Sequence, residues 1–143
     1  MMGVPLTGGP MKTNLDSLFK TDSSLEKDGI WFDVSPEIAF HLRRFGGSNA
    51  QKVKQAMAKY HKPYAKLIEA DRLGIEETNL VMAKVFVDSC LISWKGIKDE
   101  EGKDIPHTFD NAVKLFTDLP ELFSTLFTYC SGVESFKEDL GNY

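Results

Sequence analysis

WKGIKDEEGKDIPHTFDNAVKLFTDLPELF, residues 94–123, holds the punctuation that decides the fold of the C-terminal half. It is expected to close an apolar helix on Trp94-Lys95-Gly96, because glycine adopts the left-handed backbone that ends helices without a Cβ penalty. A hydrophilic loop, Asp99-Glu100-Glu101-Gly102-Lys103-Asp104, then leads to Ile105-Pro106. Pro106 denies Ile105 the helical region, so the loop is a real break. A short helix follows and stops at Asp118-Leu119-Pro120-Glu121. Pro120 suits the first turn of a further helix, with Asp118 placed to accept from its free amides.

Upstream, Gly74 precedes IEETNLVMAKVFVDSCLISW, with Glu76 and Glu77 in a first turn where the helix dipole favours anions. The spacing predicts one central helix running to Trp94. Leu80, Ala83, Val87, Cys90, Leu91 and Trp94 line one face, and Met82, Val85, Phe86 and Ile92 occupy others, so most of its circumference is expected to be buried. The last helix carries Leu119, Leu122, Phe123, Leu126, Phe127, Cys130 and Val133 at i, i+3, i+4 spacing and is expected to pack against it. Further toward the N-terminus, GIWFDV, then Ser35-Pro36, then EIAFHLRRF read as a β-hairpin. Gly46-Gly47-Ser48-Asn49 break the second strand and offer a cap. Val53, Met57, Tyr60, Tyr64 and Leu67 or Ile68 then form a helical stripe, which Pro63 kinks or divides. The expected fold is mainly α, a small α+β class: an N-terminal β-hairpin followed by a bundle of about four to five helices. Residues 1–14 are expected to be a flexible leader, with MMGVPLTGGP ahead of a second methionine at position 11, and residues 15–140 a single domain.

At 143 residues the chain suits one core. Its 42% hydrophobic and 27% charged residues are ordinary for a globular protein and exclude disordered and fibrous classes. No run reaches the roughly 20 apolar residues of a membrane span, so the expected location is the cytoplasm. The two cysteines, Cys90 and Cys130, both fall on apolar helix faces and are read as reduced core residues.

The search for chemistry returns little. His41, His61 and His107 stand outside any HExxH or nucleophile motif. The acidic loop at 99–104 lacks the alternating oxygen ligands and sixth-position glycine of an EF-hand. Gly8-Gly9 and Gly46-Gly47 lack the Lys and Ser/Thr of a phosphate loop. No catalytic, cofactor or metal residue is assigned, and no enzyme is expected.

Charge carries more. Between Ile38 and Ile68 there is no Asp or Glu, yet Arg43, Arg44, Lys52, Lys54, Lys59, Lys62 and Lys66 give seven positive charges; elsewhere ten basic residues face 21 acidic ones, about −11, for a net −4. On the helix beginning near Asn49 the lysines sit away from the apolar stripe. Such a split describes partners rather than fold. One reading is a solvated face that balances the acidic half of the same molecule; the sharper one is a docking surface for an acidic partner segment. Nucleic acid ranks third, because no helix-turn-helix, zinc or RNP pattern supports it.

The Trp-Lys-Gly end, the DEEGK turn, Ile-Pro and NAVKLFTDLPELF, together with LDSLFKTDSSLEKDGIWFDV and KYHKPY upstream, resemble the tail assembly chaperones of long-tailed bacteriophages over roughly residues 15–136. The resemblance implies a mostly helical protein of the host cytoplasm, absent from the mature virion, that coats the tape measure protein before the tail tube polymerises around it. It also implies two products, the longer made by a −1 ribosomal frameshift and contacting the tail tube protein. This chain resembles the unshifted form, and Leu140-Gly141-Asn142-Tyr143 is compatible with a slippery heptamer at its end. A tape measure is a long helical chain with apolar stripes, so the expected contact is a mixed groove. Trp31, Phe32, Phe40 or Phe45 would supply apolar area, and the basic face Arg43, Arg44, Lys52, Lys59, Lys62 and Lys66 would supply attraction. For each aromatic the competing role is core packing. Self-association is allowed. The alternatives are a structural minor tail protein retained in the virion, or a small module binding nucleic acid or a host protein.

Overall fold

In the computed structural model residues 11–137 are described; most of the leader and the four residues at 140–143 lie outside them. Helices α1 (Asp16–Phe19) and α2 (Ser23–Asp28) open the chain. Asp22 caps α2 by accepting from the amides of Ser24 and Leu25 at 2.8 and 3.2 Å, the geometry that satisfies otherwise unpaired first-turn donors. Strands β1 (Ile30–Asp33) and β2 (Ala39–Leu42) form the expected hairpin, with Trp31 opposite His41 and Phe32 opposite Phe40. Then come α3 (Ala50–His61), α4 (Ala65–Glu69) and α5 (Ile75–Ser89), with Pro63 in the 3-10 turn that separates α3 from α4. The chain is a small, mainly helical α+β protein.

The central helix is shorter than its pattern suggests. It ends at Ser89, and Leu91–Lys95 form a third strand, β3, antiparallel to β2 with Phe40 opposite Trp94 and His41 opposite Ser93. Cys90, Leu91 and Trp94 therefore belong to the helix end and a strand, not to a helix face. Val87, Cys90, Leu91 and Trp94 fit a helical stripe and a buried strand alike. What decides the matter comes from far away. The last carbonyls of a helix need donors, and here Asn49 Nδ2 donates to Ser89 O at 2.9 Å while the Arg43 amide donates to Cys90 O at 2.7 Å. Asn49 spends its side chain on that bond and on Arg44 O, also at 2.9 Å, and does not cap α3.

Gly96 has the positive φ expected of it, +82°, but it ends β3 rather than a helix. A Cβ there would overlap Glu37 O. Gly96→Ala is expected to cost about 1–2 kcal/mol through backbone strain and displacement of the 34–38 turn, read as a lower urea midpoint; a midpoint equal to wild type would show that the hairpin yields freely.

The acidic loop is an ordered hairpin extension. Asp99 N donates to Lys103 O and Ile105 N to Ile97 O, Lys98 Nζ pairs with Asp104 at 2.9 Å, and Asp99 Oδ1 accepts from the amides of Glu101 and Lys103. Trp94 Nε1 donates to Ile105 O at 3.0 Å, which ties the base of the extension to β3. Helix α6 (Phe109–Asp118) is capped by Thr108, and α7 (Pro120–Ser131) starts with Pro120 at its first turn. Asp118 does not cap α7; it pairs with Lys114 one turn back at 3.1 Å, and Leu119 occupies the cap position without a side-chain bond.

The core lies where α5, α6 and α7 meet the inner face of the sheet. Phe40, Leu42, Phe86, Phe116, Leu126 and both cysteines are fully buried there. Helix α6 lies directly along α5. Phe123 and Phe127 of α7 reach Phe86 of α5 at ring distances of 5.3 and 6.4 Å. Cys90 and Cys130 are free, and burial pushes the Cys90 thiol up to about 12 and Cys130 in the same direction, so both are neutral.

Candidate protein-binding surface

The basic stretch of the sequence is divided by the fold into three parts. Arg44 turns inward. Its guanidinium pairs with Glu26, a buried carboxylate on α2 whose other oxygen accepts from Ser48 N at 3.0 Å. The pair clamps α2 onto the turn before α3, where Gly47 (φ +52°) leaves room that a Cβ would take from the Glu26 carboxylate. Burial alone would raise the Glu26 pKa, but the hydrogen bonds from Arg44 and Ser48 outweigh it and hold the carboxyl below its ordinary value. Arg44 is thus a structural cation and leaves the docking set.

The second part lies at the start of α3. Arg43 is half-buried, its Nε donating to Lys27 O at 2.7 Å. With Lys27, Ser48, Gln51 and Lys52 it lines a shallow groove of about 440 Å³. The third part lies at the far end of α3 and on α4. Lys59 Nζ is 3.9 Å from Asp88 and 5.2 Å from the Tyr60 ring centre, and Tyr60 itself donates to Asp88 at 3.0 Å. Lys62 and Lys66 are exposed and have no carboxylate within ion-pair distance among the described residues. Beside them α4 buries none of its residues: Leu67 and Ile68 are 40% and 43% exposed. The Tyr60 ring stacks on Phe109 of α6 at 5.8 Å, and Phe109 is itself exposed.

The aromatics expected to supply apolar contact go elsewhere. Phe40 is wholly buried, edge-on to Trp94 and near Phe116, so it is a core residue and cannot meet a partner. Phe45 is half-buried against Phe127 at 4.7 Å, and Phe32 against Tyr129 at 4.0 Å. Trp31 is 45% exposed but belongs to the open face of the sheet, where His41 stacks on it at 4.8 Å and Lys95 Nζ lies 4.8 Å from its ring centre. Alternation in β1 turns Phe32 toward the core and leaves Trp31 outside.

Sequence reasoning missed Leu67, Ile68 and Phe109 as surface residues. Leu67 or Ile68 read as continuing the buried stripe of α3, and the available signal was Pro63: breaking the helix there ends the register, so the stripe need not carry over. The histidines are structural. His61 Nδ1 is 2.7 Å from Met57 O, and His107 packs edge-on to Trp94, where burial lowers its pKa. Among the described residues no group of His, Cys, Asp and Glu is arranged to hold a metal ion, and no helix is long and apolar enough to cross a membrane.

A family model described as YdaY prophage protein matches residues 48–140, which takes in α3 through α7 and the whole Lys59 to Phe109 surface. No curated protein and no solved structure matches the chain.

Proposed function

The chain belongs to the YdaY prophage protein family and is phage-derived, and from that premise we propose that it is a tail assembly chaperone which binds and solubilises the tape measure protein in the host cytoplasm. The observation that carries the reading is the pairing of unneutralised lysines with unburied apolar side chains on one segment: Lys62 and Lys66 alongside Leu67 and Ile68, with Lys59 and the Tyr60–Phe109 stack adjoining. An amphipathic helix needs both features in a partner, an apolar strip for its stripe and charges to set its register. Exposed lysines give attraction that salt screens over about 10 Å. Contacts of this kind are individually weak, which suits a protein that binds in many copies and is displaced when the tube closes. Recruitment of tail tube protein belongs to a longer, frameshifted product in this reading.

Lys59→Glu combined with Lys62→Glu is expected to weaken tape measure binding roughly tenfold or more, by removing two attractions and adding two repulsions. The helical circular dichroism is expected to stay unchanged, since among the described residues the ion pair lost is the long one to Asp88, of a kind worth under about 1 kcal/mol. Binding undiminished at moderate salt would sink the lysine surface. The function itself is tested by co-expressing the chain with the tape measure protein of the same prophage. A soluble multi-copy complex, with tape measure insoluble alone, is the expected result; no complex, together with this chain in purified virions, would make it a structural tail protein.

A further inference from the structure

We infer that α4 is a hinged flap, turning about Pro63 at one end and Asp71 at the other, which closes over the docked tape measure helix and buries Leu67 and Ile68 in the complex. The flap deepens the reading of the Lys59 to Phe109 surface and rests on it. Every residue from 65 to 72 is exposed, and α4 buries none of its own, so the segment is held by its two ends. An isolated helix needs roughly 12–15 residues before its internal hydrogen bonds offset the cost of starting it. Helix α4 is far shorter and has no burial to make up the difference. It therefore opens locally more often than α3, which buries Val53 and Ala56, or α5, which buries Val81, Val85 and Phe86.

Both ends are built to bend. Pro63 lies in the 3-10 turn Lys62–Tyr64 and has no amide with which to carry the α3 ladder onward. Tyr64 packs against the Ala56, Val81 and Val85 cluster, which fixes the near side of the hinge. At the far end Asp71 has φ +53°, and among the described residues no other non-glycine residue has a positive φ. Its amide donates to Ile68 O at 3.0 Å and the Arg72 amide donates to Leu67 O at 2.8 Å, the paired bonds that close a helix on a left-handed residue. Glycine takes that conformation freely, whereas the Cβ of Asp71 is strained by it. The bonds that close α4 are thus opposed by the residue on which they turn. Beyond it α5 starts firmly, with the amide and hydroxyl of Thr78 both donating to Gly74 O.

Side chains do not tie the flap down. Lys66, Glu69, Asp71 and Arg72 make no ion pair or side-chain hydrogen bond among the described residues. The equally exposed hairpin at residues 98–104 differs, since its Lys98–Asp104 pair and the bonds accepted by Asp99 hold it in one shape. Leu67 and Ile68, 40% and 43% exposed, gain apolar burial only when something lies against them. Lys62 and Lys66 on the same segment ask for carboxylates. An acidic amphipathic helix supplies both, and closing on it gives α4 the tertiary contacts that it lacks alone.

The test is amide hydrogen exchange and limited trypsin digestion of the full chain, alone and in its co-expressed complex with tape measure protein. In the free chain the amides of Ala70, Asp71 and Arg72 are expected to exchange roughly a hundredfold faster than those of Val85 and Phe86. Trypsin is expected to cut first after Lys66 and Arg72, ahead of Lys98 and Lys103 in the bonded hairpin. Asp71→Gly, which takes the left-handed conformation without strain, is expected to slow both processes roughly fivefold. In the complex, exchange in α4 is expected to fall roughly tenfold or more, and the two cuts to disappear. Exchange in the free chain as slow as in α5, or rates unmoved by Asp71→Gly, would overturn the flap. A soluble complex in which α4 exchanges and is cut as in the free chain would overturn the closure and leave the chaperone function standing. No complex at all would remove that function and the closure with it.

Discussion

Phe86→Ala is expected to lower the free energy of unfolding by about 3–5 kcal/mol, the usual cost of removing a fully buried phenylalanine. Phe86 sits on α5 with its ring edge-on to Phe116 of α6 at 5.6 Å and to Phe123 of α7 at 5.3 Å, and with Phe127 at 6.4 Å. With Phe116 and Phe123, which also meet each other at 5.8 Å, it forms a cluster that joins all three helices, so its loss removes transfer free energy and several aromatic contacts together. The hole is bordered by side chains from three helices, which limits how far the site collapses. Against a total stability of about 5–15 kcal/mol for a domain of ordinary kind, this is a large share. Urea unfolding followed by circular dichroism reads it directly, with Phe86→Leu as the milder control. A loss under about 1 kcal/mol would mean that α6 and α7 are held to α5 by something other than this cluster.

Local rules placed most elements. Gly46, Gly74, Pro63, Pro106 and Pro120 each act on the backbone next to them, and the boundaries they mark are those observed around α3, α5, α6 and α7; helix α2, ahead of the hairpin, was not anticipated. The exception is β3. Within CLISW a helix and a strand bury the same residues, and the choice was made by donors from Arg43 and Asn49, more than 40 residues earlier in the chain. A rule based on neighbours has no access to that information. Asp118 differs for a local reason: an ordinary i−4 partner, Lys114, competes for its carboxylate and displaces the capping role.

The basic band was legible as charge and not as shape. The absence of Asp and Glu from Ile38 to Ile68 is visible in the sequence, but its division among a buried clamp, a groove and an exposed end depends on which cation meets Glu26. Glu26 lies in an unremarkable Leu-Glu-Lys turn, with partners at positions 44 and 48. Phe40 was a contact candidate yet lies in the core, for a general reason: large aromatics in strands draw attention, yet they are the residues a small core needs most. Two modest aliphatics on a helix cut off by proline were left outside instead.

Glu26→Gln is expected to destabilise the protein by about 3 kcal/mol, although it deletes only a charge. Arg44 keeps 15% of its side-chain exposure and its Nε has no hydrogen-bond partner, so the guanidinium depends on the Glu26 carboxylate to offset its desolvation. Removing one member of such a pair leaves the other as a buried uncompensated charge, which costs far more than the pair contributes when intact. Replacing both, as Glu26→Leu with Arg44→Met, is therefore expected to recover most of the loss. The pH dependence has a definite sign. The carboxyl of Glu26 titrates lower in the folded protein than in the unfolded chain, so the stability it contributes is present at neutral pH and is lost as pH falls below the ordinary carboxyl range and through the lowered folded value. Wild type is thus expected to lose stability more steeply on acidification than Glu26→Gln, and the two curves converge at low pH. Parallel curves would show that α2 is held to the Ser48 turn by packing and not by this ion pair, and the double substitution would then bring no recovery.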